Sequence, residues 1–391
     1  ERLLFWTGKD PITLYKCEGI YDFFGQAVAI SAADTPVFDL HLYEEGLYLS
    51  GPTFENFREV IELKVDKKVF AILQDYSKWL NHLSVDSMDL IHNLVARGQT
   101  RDFIMLSEAL HTKKISAITD EIESHPDVRL ICLAGPSSSG KTTISRRLRI
   151  NLLASCIDSQ TIELDNYFVD RKSTPKDSEG NYDFEALEAI NIDLINKHLK
   201  ALLSGEEIAV PRFDFMNGLS QEGYSLKLKP RQLLIIEGIH GLNEKLTEGI
   251  PPEKIYRIFA GPLTGTNLDL HNRIGTTDTR LLRRLVRDNN KRGHPPETTL
   301  KQWPSVVRGS FRYVFPYQES ADIIFNSALA YELPVLKGYV KPLLKSISED
   351  SEAYGEAQRL LSLLQFVPVI LPDDVPNFSI LREFIGKSCF E

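Results

Sequence analysis

Residues 130–149, LICLAGPSSSGKTTISRRLR, contain the stretch Gly135 to Thr142, which fits the pattern G-x-x-x-x-G-K-[ST]. The apolar run at 128–134 precedes the glycines and is typical of a buried parallel strand. Apolar residues then recur at helical spacing at Ile144, Leu148, Leu152 and Leu153. Strand, glycine loop and helix in this order predict a phosphate-binding loop. A chance serine- and glycine-rich turn is the alternative, and it would need the strand, the lysine and the hydroxyl to coincide by accident.

Each part of this loop has a predicted role in binding ATP. The two glycines permit a tight turn and a close approach of the backbone to a phosphate, and the loop N–H groups and helix N-terminus would face that anion. Lys141 would reach the β- and γ-phosphates, and the Thr142 hydroxyl would bind Mg²⁺. The predicted nucleotide contacts are Gly135, Ser137, Ser138, Ser139, Gly140, Lys141, Thr142 and Thr143.

Composition limits the class of protein. The chain has 391 residues, 42% hydrophobic and 25% charged, which predicts a soluble globular protein of two or three domains. A net charge of −9 argues against nucleic acid as the main partner. No apolar run approaches the roughly 20 residues that a membrane helix needs, and no signal peptide is visible. We therefore expect a cytoplasmic protein without a membrane partner. Because the chain begins with Glu1, we expect its natural N-terminus to lie upstream.

The four cysteines predict no metal or disulfide framework. None of them stands in C-x-x-C spacing, so neither a zinc site nor a disulfide pattern is indicated. This usage is typical of a reducing cytosol.

The chain divides into three predicted segments. Residues 1–84 are predicted to form a small α/β domain, because VFDLHLYEEGLYL at 37–49 alternates and then turns at Glu45-Gly46, as a β-hairpin does. Residues 85–127 are predicted to be a helical connector, and residues 128–391 a P-loop domain. The predicted fold class is therefore α/β, with a P-loop NTPase-like parallel sheet flanked by helices and a smaller α/β N-terminal domain.

Two acids follow predicted strands. Asp165 follows the strand at 160–164, and Glu237 follows the strand at 232–236. The carboxyl ends of parallel strands open on a ligand crevice. Asp165, on a strand expected beside the P-loop strand, is a candidate base for a substrate hydroxyl, and an Asp that caps a turn is the alternative. Glu237 is a candidate Mg²⁺ partner, either directly or through another ligand.

Four arginines share one face of the predicted helix at 277–292. Arg280, Arg283, Arg284 and Arg287 are spaced i, i+3, i+4 and i+7. Such crowded cations repel one another unless an anion compensates them, and a triphosphate would do so. The helix is therefore a candidate lid, with a solvated amphipathic face as the alternative.

These motifs resemble the uridine kinase and phosphoribulokinase family of P-loop kinases. The resemblance covers about residues 128 to 345. Six motifs occur in order: GPSSSGKTT (135–143), DNYF (165–168), NYD (181–183), PRFDF (211–215), IIEGIH (235–240) and DTRLLRRLVRDNNKRG (278–293). The tail NFSILREFIG (377–386) and the segment before the P-loop are similar to a bacterial uridine-kinase-like subgroup. In that subgroup a domain similar to part of threonyl-tRNA synthetase precedes the kinase, and residues 1–80 would be that domain.

The resemblance implies a role for each matching residue. Asp165 matches the base for a ribose 5′-hydroxyl, Asp183 and Arg280 match residues that hold ribose hydroxyls, and Glu237 matches the acid near Mg²⁺. Arg283 and Arg287 match the lid, and Arg283 and Lys141 would act on the transferred phosphate beside the base.

The implied function is ATP- and Mg²⁺-dependent phosphorylation of a uridine- or cytidine-like nucleoside at its 5′-hydroxyl. Phe213 would contact this substrate. Phe213 and Gly218 stand where pyrimidine kinases supply a Tyr and a His to the base, so the acceptor stays open. Another small alcohol, such as thymidine, a sugar or a polyol, is one alternative, and a regulatory P-loop switch is another. The absence of an N-K-x-D motif argues against a GTPase. Homo-oligomerisation is left open.

Overall fold

The structure is a computed structural model. It describes residues 6, 13–23, 31–34, 37–44, 46–52, 58–62, 65–177, 180–214 and 217–390. Glu45 of the predicted hairpin turn and Phe215 of the PRFDF motif lie outside the described residues.

The described residues form eleven strands and ten α-helices. The strands are β1 Tyr15–Cys17, β2 Ile20–Asp22, β3 Asp39–Tyr43, β4 Gly46–Ser50, β5 Leu130–Ala134, β6 Ser159–Glu163, β7 Ile208–Asp214, β8 Leu219–Leu226, β9 Leu233–Glu237, β10 Ile255–Gly261 and β11 Ile323–Asn326. The helices are α1 Lys67–Leu83, α2 Met88–Ala96, α3 Thr100–Glu123, α4 Lys141–Ala154, α5 Ile192–Leu203, α6 Thr276–Arg292, α7 Pro296–Tyr313, α8 Glu332–Lys345, α9 Tyr354–Gln365 and α10 Arg382–Ile385.

Five of these strands form a parallel sheet in the order β11-β10-β5-β9-β6, with helices packed against it. All residues of β5 and β9 are buried, which is why these strands are continuous apolar runs in the sequence. The predicted fold class, an α/β P-loop architecture with a smaller N-terminal region that contains strands, is confirmed.

The expected position of the Asp165 strand is wrong. We expected β6 to lie beside the P-loop strand β5, but β9 lies between them and β6 is an edge strand. The acid that lies next to the P-loop strand is therefore Glu237, which pairs in register with Leu133. Strand order depends on long-range packing and crossover connections, which local sequence does not encode.

Strand β8 was not predicted from the sequence. Strand β8 pairs antiparallel with β7 in a separate two-stranded sheet, with Phe213 opposite Ser220. Seven of its eight residues are exposed, so it lacks the apolar alternation that reveals a half-buried strand.

The N-terminal region contacts the rest of the chain through α1. The predicted hairpin is present as β3 and β4, and Tyr43 and Tyr48 pack on Phe70 of α1, with ring centroids 4.9 and 5.8 Å away. Tyr76 and Leu80 of α1 belong to the same hydrophobic core as the P-loop helix. Helices α2 and α3 occupy the predicted connector, and the boundaries at 84/85 and 127/128 stay predictions. No helix in the described ranges has the length and apolar composition needed to span a bilayer.

Candidate active site

The P-loop backbone requires glycine at both of its ends. A Cβ on Gly135 would lie 2.0 Å from the carbonyl oxygen of Ala260 in the neighbouring strand β10. Gly140 has φ +86°, and Ser138 also has a positive φ, of +65°. The two φ values turn the chain sharply into α4, as a phosphate-binding loop requires.

The first N–H groups of α4 have no hydrogen-bond partner within the helix. The first helical hydrogen bond runs from the Ile144 N–H to the Gly140 carbonyl oxygen at 3.0 Å. The N–H groups of residues 141–143 therefore have no carbonyl partner within the helix. The N-cap residue is Gly140, which has no side chain to cap the helix, and the Lys141 Nζ lies 3.4 Å from the Pro136 carbonyl oxygen of the loop. These groups are arranged to receive an anion.

Glu237 lies beside the predicted metal-binding hydroxyl. The Thr142 Oγ1 donates a hydrogen bond of 2.7 Å to the Glu237 carboxylate. Burial raises the pKa of Glu237 to about 8, against the opposing effects of Lys141 and the Thr142 hydrogen bond. A divalent cation would ionise such a carboxylate. Hydroxyl and carboxylate oxygens fit Mg²⁺, which usually takes one or two protein ligands besides phosphate and water.

The described residues contain no group of three or more His, Cys, Asp or Glu side chains arranged around a metal position. The assignment of Thr142 and Glu237 as metal ligands stays a prediction.

Asp165 lies at the same edge of the sheet as Glu237. It is exposed in the 3₁₀ turn Leu164–Tyr167, directly after β6. Glu163, the last residue of β6, pairs in register with Glu237. Burial raises the pKa of Glu163, and the nearby Asp165 charge adds to the shift. Asp165, the predicted base, and Glu237, the predicted metal partner, thus lie at one crevice. The role of Asp165 as a base stays a prediction.

Asp183 is held by two hydrogen bonds. Its Oδ1 accepts from the Glu185 backbone N–H at 3.1 Å, and the Tyr313 hydroxyl also donates to its carboxylate. Its predicted contact with an acceptor hydroxyl stays a prediction.

Glu185 is a candidate site residue that we did not identify from the sequence. Burial raises its pKa, while the nearby Arg284, Arg280 and Lys141 oppose the shift. Its Oε2 is buried without a hydrogen-bond partner in the described part of the chain. Glu185 thus lies near both Lys141 and Asp165, whose charge also affects its pKa. Its place two residues after the NYD motif was the available signal.

Three of the four arginines, Arg283, Arg284 and Arg287, pair with the protein's own acids. Their spacing therefore does not by itself require a triphosphate, and the lid role of α6 stays a prediction. Arg283 is fully buried and pairs with Glu332 at 2.6 Å. Asp288, also fully buried, lies within 3.0 to 3.4 Å of three arginine side chains. The three are Arg284, Arg287 and Arg292. A search for like-charge spacing overlooked both acids, because Glu332 is distant in sequence and Asp288, one turn after Arg284 on the same side of the helix, was not counted with the cations.

Three of these arginines support the P-loop from the side. Arg280 donates to the Ser137 carbonyl at 3.0 Å, and Arg284 donates to the Ser137 hydroxyl at 2.9 Å. Arg283 donates to the Ser138 carbonyl at 3.3 Å. Arg280 is also buried, and its guanidinium lies 5.2 Å from the Trp303 ring centroid. Contacts of Arg280 with an acceptor, and of Arg283 and Arg287 with ATP, stay predictions.

Phe213 packs on an aromatic ring, and Gly218 lies against the Arg171 side chain. Phe213 is buried, and its ring centroid lies 5.4 Å from that of Phe168. Gly218 has φ +69°, and a Cβ there would lie 2.7 Å from the Arg171 Nε. A side chain at residue 218 is therefore excluded by both strain and the Arg171 side chain. The substrate contact of Phe213 stays a prediction.

The sequence profile of the Phosphoribulokinase / Uridine kinase family matches residues 130–333, just over half of the chain. The chain belongs to this family. A uridine kinase of Staphylococcus aureus is 32% identical over 198 residues, which cover 50% of this chain and 86% of that protein. The family indicates an ATP-dependent kinase that acts on a small molecule.

Two solved structures of similar proteins align with about half of this family member. A D-glycerate 3-kinase from Cryptococcus neoformans has 15% identity and a TM-score of 0.36, with 56% of this chain and 89% of the other covered. The structure of "a Possible Uridine Kinase from Bacillus stearothermophilus" has 15% identity and a TM-score of 0.33, with coverages of 51% and 88%. Such scores carry no argument about the acceptor.

Proposed function

We propose that this family member transfers the γ-phosphoryl group of ATP to the 5′-hydroxyl of a uridine- or cytidine-like nucleoside. The proposal rests on three features of the protein that lie at one crevice. They are Lys141 and Thr142 at the end of the P-loop, the Glu237 carboxylate that accepts a hydrogen bond from Thr142, and the exposed Asp165 at the same end of the sheet. The likeness to a protein named uridine kinase supports a nucleoside acceptor.

The residues divide the reaction between them. The acceptor oxygen forms a bond to the γ-phosphorus, the bond from that phosphorus to the oxygen of the leaving ADP breaks, and Asp165 takes the hydroxyl proton. Lys141 places a cation near the β- and γ-phosphates, and Thr142 and Glu237 would hold Mg²⁺. Bound magnesium would neutralise charge on the phosphate oxygens.

The residues around the acceptor are compatible with more than one class of acceptor alcohol. Asp183 and Glu185 present carboxylate oxygens that can accept hydrogen bonds from acceptor hydroxyls. Gly218 presents no side chain to a base, which keeps a deoxynucleoside or a sugar as the alternative acceptor. We propose the cytoplasm as the location, since the described cysteines Cys132, Cys156 and Cys389 are free thiols.

The test is acceptor-dependent ADP release with a panel of uridine, cytidine, thymidine, ribose and glycerate. We expect a nucleoside to raise the rate far above that without acceptor. Asp165→Asn should lower kcat by at least about 100-fold, the scale of a lost general base. Its affinity for a non-hydrolysable ATP analogue should stay unchanged.

Asp127→Asn is the matched control, because Asp127 is exposed just before β5, at the opposite edge of the sheet. A rate that no acceptor changes would identify a regulatory NTPase. A response to ribose or glycerate alone would identify the acceptor as a sugar or polyol.

A further inference from the structure

The C-terminal segment carries a carboxylate to the start of the P-loop helix. Glu383 of α10 accepts two hydrogen bonds on one oxygen, from the Thr143 backbone N–H at 3.2 Å and from the Thr143 hydroxyl at 2.7 Å. Thr143 is the last residue at the start of α4 whose N–H has no carbonyl partner within the helix. In a P-loop these N–H groups receive phosphate oxygens. The Glu383 carboxylate therefore stands where an anion of the nucleotide would bind.

The segment that carries Glu383 is firmly built into the protein. Ile380, Leu381 and Phe384 are fully buried, and the Phe384 ring lies 5.2 Å from the Arg283 guanidinium. Ile380 contacts the loop so closely that a Cβ on Gly140 would lie 2.4 Å from its Cγ2. Release of the whole segment would expose this apolar surface, which is costly. The Glu383 side chain, which is only half-buried, can instead leave by rotation alone.

We propose that Glu383 is a built-in competitor for a nucleotide phosphate, and that ATP binds only when its carboxylate leaves Thr143. The two anions cannot share the Thr143 N–H and hydroxyl, because both are acceptors and both are negatively charged. The apparent affinity for ATP is then reduced by the fraction of molecules in which Glu383 has left. This inference rests on the nucleotide-binding part of the proposed function.

The experiment compares the full chain with Glu383→Gln and Glu383→Ala by titration calorimetry. A non-hydrolysable ATP analogue with Mg²⁺ and inorganic tripolyphosphate serve as separate probes. Glu383→Ala should tighten both by at least about tenfold, since hydrogen bonds to an ionised acceptor are the strong ones. Glu383→Gln keeps a neutral acceptor at the same place and should have a smaller effect of the same sign. Asp373→Asn, an exposed carboxylate of the same stretch, is the control and should change nothing.

The outcomes separate the inference from the proposed function. Equal dissociation constants in all variants would show that Glu383 only caps the helix and would overturn the inference alone. Weaker binding in Glu383→Gln would also overturn it, because Glu383 would then help to bind the nucleotide. Tightening for the ATP analogue but not for tripolyphosphate would refute competition with a phosphate. Failure of every variant and of the wild-type chain to bind either probe would overturn both the nucleotide site and the inference. Because Glu383→Gln retains the cap oxygen, it keeps the test valid if Glu383→Ala does not fold.

Discussion

Replacing Arg283 with Met should destabilise the fold strongly, although Arg283 resembles a lid residue in the sequence. The side chain is fully buried, its Nε donates to Glu332 at 2.6 Å, and its Nη2 donates to the Ser327 carbonyl at 2.8 Å. Methionine keeps an apolar stem but leaves the Glu332 carboxylate buried without its cation. Breaking a buried ion pair from one side costs about 3–5 kcal/mol.

Arg287→Met is the matched control on the same helix. Arg287 pairs with Asp288 at 3.0 Å, and Arg284 and Arg292 pair with the same carboxylate. The loss of one of three cations leaves Asp288 compensated. The free energy of unfolding should therefore fall by only about 1 kcal/mol, the net scale of one hydrogen bond, because two arginines still neutralise Asp288.

The assay is urea unfolding at pH 7, followed by circular dichroism, with the slope m compared between variants. The double variant Arg283→Met/Glu332→Leu should recover most of the stability lost in Arg283→Met, because no buried charge remains unpaired. A loss of only about 1 kcal/mol in Arg283→Met, equal to that in Arg287→Met, would refute the buried-pair reasoning and restore a lid role for Arg283.

Two further predictions concern the P-loop. Lys141→Ala should lower kcat by at least about 100-fold, the scale of one lost transition-state donor, with little change in melting temperature; near-normal turnover in a folded variant would contradict the P-loop assignment. The raised pKa of Glu237 means that the folded protein keeps a proton that the unfolded chain loses, so without Mg²⁺ the free energy of unfolding should fall as pH rises from about 4.5 to about 8. Glu237→Gln should remove this part of the pH dependence, and equal slopes of unfolding free energy against pH in both proteins would show that folding does not raise the pKa of Glu237.

The sequence revealed the elements that local patterns encode. The apolar runs of β5 and β9 are continuous because both faces of these strands are buried. The carboxyl ends of parallel strands lie at one end of the sheet whatever the order of the strands, so Asp165 and Glu237 could be placed at that end without the structure. The polar strand β8 and the position of β6 could not be predicted, because neither depends on a local apolar period.

By itself, then, the sequence determined the phosphate loop, its flanking strand and helix, and the two acids that follow strands. Only the tertiary structure decided which charges meet. Glu332 is 49 residues beyond Arg283, and Glu383 is 240 residues beyond Thr143, yet each pair is in direct contact. The physical reason is that backbone propensity and apolar period act over a few residues, whereas the partner of a buried charge is selected by the packing of the whole chain.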